Sequence, residues 1–169
     1  MRFLIITILS CFLLTQSSCK SIKKPTEEKV LLKVDSLENG FKKLYLLKNK
    51  KIEISSLNGA LTYKISDNSS TNVLLFDYAI NQDQLAYDGG YREEIVFEVP
   101  NNGIENNYLN EELENTKMLF GRYCNCRGKN GLYKIREGKL HIISSKKETH
   151  FNLKFKINEV PQVTEKIDY

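Results

Sequence analysis

The sequence is poor in the residues that most catalytic and metal sites require. Its 169 residues include two histidines and four cysteines, and there is no tryptophan. No nucleophile elbow, paired-histidine metal motif or phosphate-binding loop is present, and the sequence alone assigns His141 and His150 no convincing acidic partner for general-base catalysis. Internal repeats and low-complexity tracts are also missing. These absences predict a protein that is not an enzyme and that holds no cofactor.

Long apolar runs are scarce as well. The run at the N terminus extends from Phe3 to Leu14, whereas a helix needs about 20 apolar residues to cross a bilayer. Arg2 precedes this run, and small polar residues follow it up to Cys19. A basic n-region, a short apolar h-region and a small-residue cleavage zone are typical of a secretory signal peptide. The sequence therefore predicts export rather than a lasting transmembrane anchor.

The residues around Cys19 indicate a modified N terminus. Ser17 and Ser18 precede the cysteine, and Gln16 begins the motif. The stretch resembles the lipobox of bacterial lipoproteins in a relaxed form, because the family usually has leucine at the position of Gln16. The resemblance implies cleavage before Cys19, a diacylglycerol group on its thiol and an acylated N terminus. Lys20, where an aspartate would retain the protein at the inner membrane, implies the outer membrane. The alternative is an ordinary secreted protein cleaved near Ser17.

Composition divides the chain into three segments. Residues 1–18 are the predicted signal peptide, residues 19–29 are the lipidated cysteine and a charged, flexible tether, and residues 30–169 are a single β domain. Lysine and arginine total 25 against 21 aspartate and glutamate, and so small an excess gives no indication of a nucleic-acid partner. The predicted partners are the membrane, through Cys19, and an envelope protein or an anionic glycan or lipid.

The clearest structural signal is a β-hairpin within residues 51–66. Asn58 and Gly59 lie at its centre, and this pair favours a tight hairpin turn because both residues accept positive φ. Pairing outward from the turn predicts three opposed pairs: Ile54 with Tyr63, Ile52 with Ile65, and Glu53 with Lys64. The first two pairs share an apolar face, and the third places opposite charges on the other face.

A second β region extends over residues 132–157. One turn is predicted at Glu137 and Gly138, and another near Lys146 and Lys147. The resulting opposed pairs are Ile135 with Leu140, Tyr133 with Ile142, Ile142 with Phe151, and Leu140 with Leu153. Both turns place the same residues on one apolar face: Tyr133, Ile135, Leu140, Ile142, Phe151, Leu153 and Phe155. Agreement between independent local signals supports the β assignment.

Other segments complete the predicted architecture. Residues 72–80 form a nearly continuous apolar run, typical of a strand covered on both faces. Residues 93–99 alternate, with an inward and an outward set: Ile95, Phe97 and Val99 inward, and Glu94, Val96 and Glu98 outward. Residues 117–126 predict a strand, residues 110–117 at most a short helix, and residues 30–48 either a strand or a helix. The predicted fold is all-β, an antiparallel sandwich or meander barrel of about eight strands.

Cys124 and Cys126 are the cysteines that remain after the signal peptide and the lipidation site are assigned. In an extended strand, residues i and i+2 have Cα atoms about 6.5–7 Å apart, the upper limit for a disulfide. A bond therefore needs a bend, which Gly128 and Gly131 allow. An exported pair tends to oxidise, so a structural disulfide or inert buried thiols are preferred. A thiolate metal site or a redox pair stays as the alternative, although the spacing departs from the usual motifs of both.

One face of the C-terminal β region is rich in positive charge. If the apolar residues of this region point inward, the opposite face carries six basic side chains: Lys134, Arg136, Lys139, His141, His150 and Lys154. Such a patch fits anionic headgroups, lipopolysaccharide phosphates or an acidic glycan. The simpler interpretation is a solvated face whose lysines discourage edge aggregation, and it is preferred.

Residues 81–94 combine oxygen ligands with turn residues. Asp83, Asp88 and Glu93 are candidate calcium ligands, but their spacing does not follow that of an EF-hand loop. The two central glycines make a surface loop the preferred interpretation. Three tyrosines lie in or beside the segment: Tyr78, Tyr87 and Tyr91. These tyrosines either contact a glycan or a protein partner, or pack within the domain in the ordinary way.

Overall fold

The computed structural model describes residues 29–80, 90–145 and 148–169. In these residues the chain forms twelve β-strands and one 3₁₀ helix, Asn110–Thr116. The strands are β1 Lys29–Leu37, β2 Gly40–Leu47, β3 Lys50–Leu57, β4 Ala60–Asp67, β5 Thr71–Ile80, β6 Tyr91–Pro100, β7 Ile104–Leu109, β8 Leu119–Tyr123, β9 Gly131–Lys134, β10 Glu137–Ser144, β11 Thr149–Lys156 and β12 Lys166–Asp168. The all-β class, the strand after residue 117 and the short helix are confirmed. The strands outnumber the predicted total of about eight, because residues 30–48 form two strands and β7 and β12 lack a clear sequence pattern.

The strands form two open antiparallel sheets and a separate hairpin. The central sheet has the order β1-β2-β5-β6-β8-β9, and the outer sheet has the order β12-β11-β10-β7. The main core lies between these two sheets and contains fully buried side chains from both: Phe97, Phe120, Leu74 and Ile95 of the central sheet, and Leu140, Ile142 and Leu153 of the outer sheet. Each sheet has two free edges in the described part of the chain. The prediction of a sandwich is therefore confirmed, and its barrel alternative is not.

The β3–β4 hairpin has the predicted register. Its pairs are Ile54 with Tyr63, Ile52 with Ile65, and Glu53 with Lys64. Asn58 and Gly59 have φ of 51° and 81°, as a tight hairpin turn requires. The apolar side of the hairpin covers the outer face of the central sheet and buries a second cluster: Leu47, Ile52, Val73, Leu75, Val96 and Leu119. Strand β5 is therefore buried on both faces, which explains its continuous apolar run.

The residues of β6 that were predicted to point inward do lie in the main core, but the other face of the strand is covered as well. Ile95, Phe97 and Val99 lie in the main core. Val96 lies beneath the hairpin, and Glu94 is only 5% exposed. The prediction that this second set points to the outside is wrong, because alternation shows which residues avoid the main core and not what covers them.

Hydrogen bonds made by Glu98 and Lys117 link the β3–β4 hairpin to the central sheet. The Glu98 carboxylate accepts a hydrogen bond from the backbone N–H of Ile52 and another from Lys117 Nζ, the latter at 2.7 Å. Lys117 Nζ also donates to the carbonyl oxygen of Ile52, at 2.9 Å. Both backbone groups of this β3 residue are thus satisfied by side chains.

The second β region is confirmed in part. Two predicted pairs are present, Ile142 with Phe151 and Leu140 with Leu153. Two are wrong, Ile135 with Leu140 and Tyr133 with Ile142, since β9 pairs with β8 and the second neighbour of β10 is β7. The predicted turn near Lys146 and Lys147 lies outside the described residues. All seven residues of the predicted apolar face still lie in or against the main core.

Gly138 explains the wrong turn. It lies inside β10 opposite Phe155, where a Cβ atom would collide with the carbonyl oxygen of Lys154 and lie 2.7 Å from Phe155 Cα. The glycine therefore permits the close approach of two strands rather than a reversal of the chain. Instead, the chain passes from the central to the outer sheet at residues 135–136, where Ile135 is buried.

The two ends of the sandwich carry different features. Strand β1 begins at Lys29, opposite Leu47. We name this end of the sandwich, where β5 also begins and β6 ends, the tether end. The opposite end, named the far end, carries the β1–β2 turn, the start of β6 and the last residue of β8, Tyr123. No helix among residues 29–80, 90–145 and 148–169 has the length and apolar character needed to cross a bilayer.

Candidate functional site

Cys124 and Cys126 lie in a turn at the far end of the sandwich. Strand β8 ends at Tyr123, and Cys124 and Cys126 follow it, joined by a disulfide with their Cα atoms 5.2 Å apart. This distance is shorter than the spacing of i and i+2 in a strand, so the chain bends here, as a bond requires. Gly128 has φ of 72°, and the N–H of Lys129 donates to the carbonyl oxygen of Cys126 at 3.1 Å. We name residues 124–130 the cysteine turn.

A buried arginine holds the cysteine turn through a hydrogen bond. Arg122 is 7% exposed, and its Nη1 donates to the carbonyl oxygen of Lys129 at 2.9 Å. Its guanidinium lies 5.2 Å from the ring centroid of Tyr91. At the other end of the turn, the N–H of Cys124 donates to Asn130 Oδ1 at 3.2 Å. The conformation of the turn is thus fixed by hydrogen bonds as well as by the covalent bond.

A cluster of charged and aromatic side chains lies beside the cysteine turn on the outer face of the central sheet. Arg92 Nε donates to Asp77 Oδ1 at 2.5 Å, and its Nη2 donates to Glu94. Glu94 also accepts from the hydroxyl of Tyr63, at 2.6 Å, and more weakly from that of Tyr123, at 3.4 Å. We name these five residues the Arg92 cluster. Adjacent strands bring it together, since Arg92 is opposite Tyr123 and Glu94 is opposite Asp77.

The tyrosines and the arginine of the Arg92 cluster all have raised pKa values. Burial, together with the negative charge of Glu94, raises the pKa of Tyr123 to about 12. Burial and the hydrogen bond to Glu94 raise the pKa of Tyr63 further still. Burial of Arg92 disfavours its charge, but the contacts with Asp77 and Glu94 outweigh this and raise its pKa. Both phenols and the guanidinium therefore stay protonated at neutral pH, and none is poised as a general base.

A shallow cavity separates the Arg92 cluster from the cysteine turn. Its volume is about 460 Å³, and its lining includes Arg92, Tyr91, Tyr123, Cys124 and Asn125. Tyrosine and arginine side chains are enriched among the residues that dominate protein–protein interfaces. Among the described residues, the far end therefore offers a surface of this composition with one partly exposed disulfide.

The outward face of the outer sheet carries four of the six predicted basic residues. Lys139 is opposite Lys154, and Lys154 is opposite Lys166, so three lysines form one row across adjacent strands. His141 and His150 lie on the same face, each 3.6 Å from a glutamate, Glu105 and Glu148 respectively. The sequence missed Lys166 because β12 is too short to be recognised from its pattern.

Lys134 and Arg136 do not lie with the other four. Arg136 Nε donates to Glu114 Oε1 at 2.6 Å, and Lys134 Nζ lies 3.6 Å from Glu114 Oε2. The hydrogen bond from Arg136 holds the pKa of Glu114 below its usual range. The prediction of one continuous six-residue face is therefore wrong, because the chain changes sheets at residues 135–136 and leaves these two cations beside the 3₁₀ helix.

Glu93, one of the candidate calcium ligands that the sequence did not favour, has a structural role. It is fully buried and accepts hydrogen bonds from the Tyr91 hydroxyl at 2.5 Å, the N–H of Val163 at 2.5 Å and the N–H of Thr164 at 2.7 Å. Asp83, Asp88 and Tyr87 lie outside the described residues. Tyr78 packs edge-on against Tyr91, with ring centroids 6.3 Å apart. Within the described ranges, histidine, cysteine, aspartate and glutamate form no group of three that could hold a metal ion.

Comparison of the chain with protein-family models, curated proteins and solved structures found no match. Cys19, the predicted lipidation site, lies outside the described residues. Of the other predicted residues, the structure brings Cys124 and Cys126 together, groups Lys139, Lys154 and the two histidines on one face, and places Lys134 and Arg136 elsewhere. Sequence reasoning missed the Arg92 cluster. Its residues in β5, β6 and β8 become neighbours only through the pairing of these three strands.

Removing the disulfide is expected to have a small effect on stability. The double variant Cys124→Ser and Cys126→Ser should lose about 1–2 kcal/mol of unfolding free energy, because closing a three-residue ring restricts the unfolded chain very little. Urea unfolding followed by circular dichroism measures the difference. The reduced wild-type protein is the control and should match the double variant. A loss above about 4 kcal/mol would show that the bond holds more of the fold than its turn.

Proposed function

We propose that this protein is a lipid-anchored, non-catalytic binding or structural module of the cell envelope, held at the outer membrane through Cys19. The observation that carries the proposal is the Cys124–Cys126 disulfide, because disulfides persist in exported proteins and are rare in the cytosol. It agrees with the export-type N terminus, which is a separate feature of the sequence. Acyl chains contribute about 0.8 kcal/mol per buried methylene, and two or more give stable anchoring.

The fold limits how far the domain could lie from the proposed anchor. Strand β1 begins at Lys29, so a tether of about ten residues would reach at most about 35 Å from the modified Cys19. A flexible tether of this length would let the cysteine turn and the Arg92 cluster, at the end of the sandwich remote from Lys29, meet an envelope partner away from the membrane. The lysine row on the outer sheet would be available to an anionic glycan or lipid.

A thiol-dependent metal or redox function is the second candidate. Cys124 and Cys126 are partly exposed rather than deeply buried, so a reductant or a soft metal ion has access to the sulfurs once the bond is reduced. Thiol titration and metal analysis of protein purified from the exported fraction separate the two functions. Two oxidised thiols without metal support the first. A stoichiometric metal that is lost in Cys124→Ser supports the second.

Replacing Cys19 tests the anchor directly. The Cys19→Ser variant should lack the acyl mass that the wild-type chain carries, because it has no thiol to receive a lipid. Intact mass spectrometry of the wild-type chain should show an acylated N-terminal cysteine at residue 19. The matched control is Cys11→Ser, which lies within the predicted signal peptide and should leave the lipid in place. An unmodified thiol at Cys19, or a mature N terminus beyond it, would overturn the proposal.

A further inference from the structure

A second cavity lies at the tether end of the sandwich. Its volume is about 660 Å³, which is within the usual range for small-ligand sites. Four asparagines line it: Asn49, Asn72, Asn101 and Asn102. They come from the segments that connect β2 to β3 and β6 to β7 and from the start of β5. We name this cavity the amide cleft, and it is remote from the cysteine turn and the Arg92 cluster.

The amides of the cleft retain unused hydrogen-bonding groups. Asn72 Oδ1 accepts from the N–H of Asn49 at 2.9 Å, and the amide NH₂ of Asn72 has no acceptor among the described residues. Asn101 Nδ2 donates to the carbonyl oxygen of Ser69 at 2.6 Å, and within the same residues no donor reaches Asn101 Oδ1. Asn102 has no hydrogen-bond partner in the described part of the chain. The cleft therefore presents both donors and acceptors, and two of the amides are held in place by the fold.

An aromatic pair forms one side of the cleft. Tyr169 and His150 both line it, and their rings are stacked with centroids 6.2 Å apart. Tyr169 is held in position because its backbone exchanges two hydrogen bonds with Phe151, at 2.6 and 2.9 Å. Leu32 and Leu46 add apolar surface. The His150 side chain is 63% exposed, so the stacked pair presents an aromatic face beside the amides at this end of the domain.

We propose that the amide cleft binds a neutral sugar, as one or two residues of an oligosaccharide. Sugar hydroxyls both donate and accept hydrogen bonds, as do asparagine amides, and the C–H face of a pyranose packs on an aromatic ring. Among the described lining residues the lysine and glutamate side chains are Lys48 and Glu148, whose opposite charges balance, and most of the remaining polar lining is neutral amide and hydroxyl groups. This inference does not depend on the lipid anchor, because the cleft belongs to the folded domain.

The experiment measures the binding of neutral tetrasaccharides to the purified full-length protein in detergent. The probes are chitotetraose, cellotetraose and maltotetraose, and the methods are saturation-transfer NMR and calorimetry. At least one probe should bind. Asn102→Ala should weaken it about fivefold, the effect of one hydrogen bond of about 1 kcal/mol, and Tyr169→Ala should weaken it more. Tyr169→Phe should retain binding, because the ring stays in place.

The matched control is Asn107→Ala, since Asn107 is exposed on the outward face of the outer sheet and opposite His141. It should bind the sugar as the wild type does. Three results would overturn the inference: no binding of any of the three sugars, equal affinity of Asn102→Ala and wild type, or displacement of the sugar by millimolar inorganic phosphate. Removal of the lipid by Cys19→Ser should leave sugar affinity unchanged, so the failure of the anchor and the failure of the cleft are distinguishable.

Discussion

Replacement of Glu93 by alanine is expected to lower the unfolding free energy by about 3–4 kcal/mol, since hydrogen bonds to a charged group contribute about 1.5–3 kcal/mol each. Glu93 is fully buried and accepts from one tyrosine hydroxyl and two backbone N–H groups. The two N–H groups, of Val163 and Thr164, belong to the segment that leads into β12. Loss of the carboxylate would leave these donors without a partner and would loosen the C-terminal segment from the central sheet.

Urea unfolding followed by circular dichroism measures this effect. Glu93→Gln should lose less, because an amide oxygen still accepts one hydrogen bond. The matched control is Glu111→Ala, an exposed glutamate of the 3₁₀ helix, which should change stability by no more than about 0.5 kcal/mol. Equal stability of Glu93→Ala and wild type would show that the C-terminal segment is held by other contacts.

High pH is expected to destabilise the protein through buried tyrosines. Burial and nearby glutamates raise the pKa of Tyr91 and of Tyr123 to about 12, and that of Tyr63 above the usual range. Unfolded tyrosines have a pKa near 10, so the folded chain binds these protons more tightly. The stability they contribute is complete below about pH 10 and is lost as the pH rises toward the folded values.

Two measurements check this result. Tyrosinate absorbance should show that some tyrosines ionise late, at the same pH at which the circular dichroism signal of the fold is lost. The urea concentration at the midpoint of unfolding should fall steadily between about pH 10 and about pH 12. The control is Tyr123→Phe, which should keep the fold and remove one late proton. Complete titration of all tyrosines near pH 10 without unfolding would contradict the buried environment of the Arg92 cluster.

Local sequence signals predicted the parts of the fold that depend on a single turn. The Asn58–Gly59 hairpin has the expected register because positive φ and alternating side chains specify the same pairing. Gly138 misled the prediction because a glycine marks both turns and close strand contacts. Glu94 and Glu98 were misplaced for a similar reason: a polar residue that faces away from one core meets either water or a second layer that supplies its partners.

The candidate sites were predictable only where one segment forms them. The bend at Cys124 and Cys126 follows from their spacing and the glycines beyond them. The lysine row was found in part, since β10 and β11 are consecutive, and its extension to Lys166 was not. The Arg92 cluster and the amide cleft each draw side chains from at least three separate segments. No short pattern identifies such sites, because their geometry arises from the packing of the sheets.

The position of β1 also determines how the domain responds to mechanical load. A pull on Lys29 that acts along the axis of β1 loads an edge strand with a single hydrogen-bonded neighbour, β2. Under such a load the hydrogen bonds of the β1–β2 ladder are sheared together instead of opening one at a time. Detachment of β1 would then need many bonds to fail at once.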